Sequence, residues 1–135
     1  MTARVGLVLV SHSRRLGEGV AELLEQLGGG EVTIEVAAGA EDGSLGTDVA
    51  AVERAIERAC GVEGGSAVVL VDVGSAVLST DAARELLPPT LVERVRVADA
   101  PFVEGAVAAV VEAGLGRSLE DVLAAAESAR QARKL

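Results

Sequence analysis

Aromatic residues are almost absent from this 135-residue sequence: Phe102 stands alone, with no Trp and no Tyr. The interior must therefore be aliphatic, built from Ala, Val and Leu, and the usual stacking platforms for single-stranded nucleic acid are missing. A formal charge of −9 also opposes a phosphate backbone, so nucleic acid is not an expected partner. Long apolar runs are lacking too. Residues 67–71 form one of the longest, far short of the roughly 20 residues that span a bilayer. No charged N-terminal region followed by a long apolar stretch is present, and a cytoplasmic protein without a membrane partner is expected. Cysteine occurs once, at Cys60, which excludes an internal disulfide and fits a reducing compartment. With no second Cys and no nearby His, Cys60 reads as a buried structural thiol, and no metal site is expected.

Two nucleotide signatures are also missing. The segment after the first apolar run is Ser-His-Ser-Arg-Arg-Leu-Gly where a dinucleotide site wants Gly-x-Gly-x-x-Gly, and no Gly-Lys-Ser/Thr occurs anywhere. Tight binding of a nucleotide cofactor by this chain is therefore not expected.

What is present is alternation. Residues 5–10 read VGLVLV, an unbroken β-branched run of the kind found in a strand covered on both faces. Leu16, Val20, Leu23, Leu24 and Leu27 then recur at helical spacing up to a Gly28–Gly30 stop. The same theme continues with a strand over 32–37, a Gly-rich loop over 39–46, and a helix after Asp48 that stops in the 61–65 Gly segment. A strand over 67–71 runs into Asp72-Val-Gly-Ser75, and a helix over 76–87 stops at Pro88-Pro89. A strand over 92–97 and helices over 101–113 and 119–133 complete the chain, the last with a solvated cationic terminus. Strands alternating with helices imply parallel pairing and right-handed crossovers. The expectation is a single domain over 1–135, a three-layer α/β/α sandwich with a mostly parallel sheet in the order 2-1-3-4.

In such a sheet ligands bind beyond the carboxyl ends of the strands, where the strand order reverses. The loops there carry His12, Thr47 with Asp48, Asp72 with Ser75, and residues 99–104. His12 is the only histidine, directly after the first strand and before a helix N-terminus. A neutral imidazole is a competent nucleophile near cytosolic pH, and a helix N-terminus favours an anion such as phosphate. The peptide N–H groups of residues 13–16 are expected to face whatever the ring carries. Ser11 and Ser13 are expected to add hydroxyl hydrogen bonds, and Arg14 and Arg15 positive charge. Asp72 is expected beside His12, accepting the Nδ1 proton and leaving Nε2 free to attack phosphorus. Gly74 reads either as a turn or as part of this cradle; for Thr47 and Ser75, capping and phosphate contact are both open. A hydrolase pairing His12 with a serine is disfavoured, because Ser11 and Ser13 flank it along the chain and no nucleophile elbow is visible.

The run over 8–20, with Ala37-Ala-Gly39, Gly46-Thr-Asp48, Asp72-Val-Gly-Ser-Ala76, Leu78-Ser79 and Ala100-Pro-Phe-Val-Glu-Gly105, resembles the DhaM family. These are the phosphotransfer subunits of phosphoenolpyruvate-dependent dihydroxyacetone kinases, and their first domain has the mannose-type enzyme IIA (EIIA) fold of the phosphotransferase system. The resemblance runs across nearly the whole chain. It implies that His12 receives a phosphoryl group from the carrier HPr and that Asp72 is the aspartate at the adjoining strand end. The group would pass to ADP held, with Mg, on the DhaL subunit, and the resulting ATP would phosphorylate dihydroxyacetone on DhaK. The resemblance also implies a homodimer. Some members continue into HPr-like and enzyme I-like domains; this sequence covers the first domain alone, so a separate phospho-HPr is the expected donor. The alternative is a regulatory or binding module whose phosphorylation state a partner senses.

Overall fold

A computed structural model of the chain describes residues 4–28, 30–61 and 64–135. Gly29 of the first predicted glycine stop, and residues 62 and 63 of the second, lie outside the described residues. In chain order the elements are β1 (Val5–Ser11), α1 (Arg14–Leu27), β2 (Ile34–Ala38), α2 (Val49–Cys60), β3 (Ser66–Val71), α3 (Ser75–Glu85), α4 (Pro89–Val92), β4 (Val95–Val97), α5 (Phe102–Gly114) and α6 (Leu119–Ser128), then a 3-10 turn over Ala129–Gln131. The four strands are parallel and ordered β2-β1-β3-β4, the architecture read from the alternation.

The unbroken apolar run of β1 follows from its place. It pairs with β2 on one side and β3 on the other, and all seven of its residues are buried. Because side chains alternate across a strand, its residues divide between two cores. Leu7 and Leu9 pack with Val20, Leu24, Ala106, Val110 and Val122 from α1, α5 and α6. Val8 and Val10 pack with Val52, Ile56, Ala76 and Ala83 from α2 and α3. Gly17 lets α1 lie close on the sheet: a Cβ there would come within 2.8 Å of the Ala38 Cβ and 2.9 Å of a Val36 methyl.

Two predicted elements are shorter than their sequence patterns. The fourth strand, expected over 92–97, is only Val95–Val97, because Pro89 starts the short helix α4 instead of merely ending α3. Proline fits a first helical turn, where its missing N–H has no partner to lose. The last helix ends at Ser128, and its cationic tail is exposed over residues 130–135 as expected, with two surface ion pairs: an Arg130 nitrogen lies 3.2 Å from Asp99 Oδ2, and Lys134 Nζ lies 2.6 Å from Glu104 Oε2. Among the described residues no helix is long and apolar enough to cross a membrane. Cys60 is buried, and burial pushes its thiol pKa up against the opposing pull of Arg94, so it stays protonated and inert as expected.

Candidate functional site

The strand order places β2 on one flank of β1 and β3 on the other, so the chain diverges at the carboxyl end of β1. In the β1/β3 ladder Val10 lies opposite Val71, and the Asp72 N–H donates to the Val10 carbonyl at 3.1 Å. That register sets Asp72 beside the segment Ser11-His12.

The Asp72 carboxylate accepts four hydrogen bonds. Oδ2 takes the His12 N–H at 2.9 Å and the Ser11 hydroxyl at 3.1 Å, while Oδ1 takes the Val73 N–H at 2.7 Å and His12 Nδ1 at 2.9 Å. Its side chain is 9% exposed against 27% for His12, so the acid is enclosed and the ring reaches solvent. Burial raises the Asp72 pKa, but the N–H of His12, its imidazole, the N–H of Val73 and the Ser11 hydroxyl together hold it below the usual value. An ionised carboxylate only accepts, so Nδ1 carries the proton, and in the neutral ring Nε2 has the lone pair. That lone pair faces the Ser75 hydroxyl, with Oγ 2.6 Å from Nε2.

A lowered folded pKa makes Asp72 a source of stability above the unfolded value of about 3.9, lost as pH falls through the folded value. The expected outcome is that the urea-unfolding difference between the native chain and Asp72→Asn shrinks on acidification below about pH 4. A constant difference would contradict the assignment.

The remaining predicted site residues fall into two groups. Ser75 lies at the ring as the first residue of α3, and Gly74 precedes it at the N-cap. Gly74 has φ −53° and open space, free of other atoms within 4 Å, where a Cβ would stand, so it is not needed for a turn. The hydroxyls of Ser11 and Ser13, expected to hold phosphate, are used inside the fold. Ser11 is fully buried on Asp72 and accepts the Ser13 N–H, while Ser13 caps α1 by accepting the Leu16 N–H at 3.2 Å. Two of the N–H groups expected to face the ring are thereby occupied, and the helix start at Nε2 is that of α3 rather than α1. Arg14 lines a depression at the β2 edge with Arg54 and Arg58, and Arg15 is exposed with no ion pair among the described residues. Thr47 hydrogen-bonds Ser79 Oγ and so ties the loop after β2 to α3, while Asp48 caps α2. The Gly46 N–H holds the His12 carbonyl at 2.9 Å.

Composition does not foretell the rim. Leu45, Val73 and Leu78 are 80%, 57% and 72% exposed on the three segments that frame the ring. Exposed apolar side chains around a polar centre suit a protein partner. Among the described residues no group of three His, Cys, Asp or Glu side chains is placed to hold a metal.

A family model described as PTS system fructose IIA component matches residues 6–123. The phosphoryl donor subunit DhaM of the PEP-dependent dihydroxyacetone kinase of Escherichia coli (strain K12) is 43% identical over 133 residues, 96% of this chain. The chain spans 28% of that relative's length. The phosphoryl donor subunit DhaM of PEP-dependent dihydroxyacetone kinase 2 from Listeria innocua is 37% identical, over 88% of this chain and 94% of its own. Among solved structures, the protein of unknown function EF1359 superposes with a TM-score of 0.84 at 34% identity, covering 93% of this chain and 94% of that one. An EIIA component of the phosphotransferase system from Streptococcus agalactiae shares the fold, with a TM-score of 0.67 at 15% identity over 94% of this chain and 92% of that one.

Proposed function

The chain belongs to the EIIA-man family of PTS system fructose IIA components, and from that premise we propose that it is a phosphocarrier, taking a phosphoryl group on His12 Nε2 and delivering it to a kinase subunit. The observation that carries this reading is the imidazole itself, part-exposed, fixed at Nδ1 by an enclosed carboxylate, with the hydroxyl of the exposed Ser75 at Nε2. The donor is phospho-HPr. The Nε2 lone pair attacks phosphorus in line as the donor's P–N bond breaks, and the Ser75 hydroxyl, displaced from the lone pair, turns to a phosphoryl oxygen. A ring phosphorylated at Nε2 and protonated at Nδ1 is cationic, and the Asp72 anion balances that charge. Phosphoryl transfer demands mainly positioning and charge stabilisation, so this small set of groups suffices.

The similarity to dihydroxyacetone kinase donor subunits supports ADP on a DhaL-type subunit as acceptor, with Mg and the nucleotide bound there and DhaK carrying dihydroxyacetone. The apolar rim of Leu45, Val73 and Leu78 supplies the docking surface for both protein partners.

Incubation with phosphoenolpyruvate, enzyme I and HPr tests the reading: the intact protein should gain one acid-labile phosphoryl mass, and addition of the ADP-loaded DhaL subunit should remove it. A protein that gains no phosphoryl group under these conditions is not a carrier. For Asp72 the expected outcome is a fall in the phosphorylation rate of Asp72→Asn by about 10- to 100-fold with the fold intact. An unchanged rate would leave Asp72 only its hydrogen bonds to the backbone.

A further inference from the structure

The serine that pairs with the imidazole comes from the far side of the β1/β3 crevice, and the resulting chain of contacts is Ser75 Oγ, 2.6 Å, His12 Nε2, then His12 Nδ1, 2.9 Å, Asp72 Oδ1. Ser75 is exposed, His12 is half-buried and Asp72 is enclosed, an order of exposure that opens the hydroxyl to a small molecule while shielding the acid. We propose that the unphosphorylated protein carries a Ser–His–Asp relay in which Ser75 is an acyl-accepting nucleophile toward small carboxylic esters.

The roles follow from the tautomer. Nδ1 holds its proton against an ionised carboxylate, so Nε2 is a base, and the hydroxyl within its reach is that of Ser75. The other nearby hydroxyls are spoken for: Ser11 donates to Asp72, Ser13 caps α1, and Ser79 pairs with Thr47. Ser75 opens the 11-residue helix α3, and among the described residues the N–H groups of Gly74 and Ser75 have no protein acceptor. Two free donors at a helix N-terminus are what an oxyanion requires. Beside Gly74 lies an open depression of about 470 Å³ walled mainly by Val71, Val77, Val97, Ala98 and Ala100, with Asp72 and Asp99 also on its lining, a largely aliphatic surface for a short acyl chain.

The steps balance. Ser75 Oγ attacks the ester carbonyl carbon, and its proton passes to Nε2. The tetrahedral intermediate collapses, the C–O bond to the alcohol breaks, and the alcohol leaves with that proton. Water then attacks the acyl-serine, giving its proton to Nε2, and release of the carboxylic acid returns a proton to Oγ. The net reaction is ester plus water to acid plus alcohol. The relay needs the Nε2 lone pair, so a group covalently bound there switches it off.

The test uses the full chain and p-nitrophenyl acetate. The native protein should release p-nitrophenol in a burst and gain one acetyl mass, which peptide mapping places on Ser75. In Ser75→Ala and His12→Asn, each checked for folding by a melting curve, the burst rate should fall on the order of 100-fold. No acetyl on the native chain, acetyl on His12 in place of Ser75, an undiminished burst in Ser75→Ala, or Ser75 acetylated as fast in His12→Asn would each overturn the proposal. These readouts need no HPr, so they stand apart from the phosphocarrier assay.

Discussion

His12→Ala protein is expected to gain no acid-labile phosphoryl group from phosphoenolpyruvate, enzyme I and HPr. The reason is stoichiometric before it is energetic: the chain has one histidine, so no second imidazole can take over. Loss of a nucleophile costs on the order of 10⁴-fold or more in rate, far beyond what the neighbouring hydroxyls can restore. The fold should survive, because Asp72 keeps the His12 N–H, the Val73 N–H and the Ser11 hydroxyl as donors after the ring is gone. A folded His12→Ala protein that still acquires acid-labile phosphate would remove the imidazole from the reaction.

The largest stability effect is expected at Gly6. A Cβ there would lie 2.3 Å from the Ala59 carbonyl oxygen and 3.0 Å from its carbon, which are backbone atoms of α2 and not a flexible side chain. Neither wall can yield cheaply. β1 is held between two strands, and α2 is pinned against the sheet by the fully buried Val52 and Ile56. Gly6→Ala should therefore destabilise the chain by about 3 kcal/mol, the upper end for overpacking a dense core. Gly19 provides the contrast, since it lies on the exposed face of α1 with nothing within 4 Å of its Cβ position. Gly19→Ala should stabilise by roughly 0.5–1 kcal/mol through helix propensity. Urea unfolding of both variants measures the difference, and equal effects at the two positions would mean that β1 and α2 do not pack as closely as described.

The architecture is legible because its strongest signals are local. An unbroken apolar run such as 5–10 identifies a strand buried on both faces, and the helical spacing after it leaves parallel pairing as the arrangement to expect. The placing of Asp72 beside His12 follows from strand order alone, since both residues end neighbouring strands. What escapes a sequence reading is decided by distant partners. Ser11 and Ser13 read as phosphate ligands because both flank His12, yet Asp72 and the first turn of α1 claim their hydroxyls. Ser75 stands between capping and phosphate contact in the sequence because its seat against Nε2 depends on how α3 leaves the sheet, which no local pattern encodes. Pro88-Pro89 reads as a stop, and the same pair also starts a helix, which shortens the fourth strand. The pairing of Arg130 with Asp99 and of Lys134 with Glu104 joins residues about thirty positions apart on exposed surface, where charge alone does not choose a partner.

The hydrogen bond from Nδ1 to Asp72 leaves one ring nitrogen for chemistry, and long-range proton–nitrogen correlation spectra of the ¹⁵N-histidine-labelled chain, recorded before and after phosphorylation by phospho-HPr, address it directly. With a single histidine there is one spin system to follow. Phosphorus attached at Nε2, with Nδ1 still protonated against the carboxylate, is the predicted spectrum; phosphorus attached at Nδ1 would contradict the account.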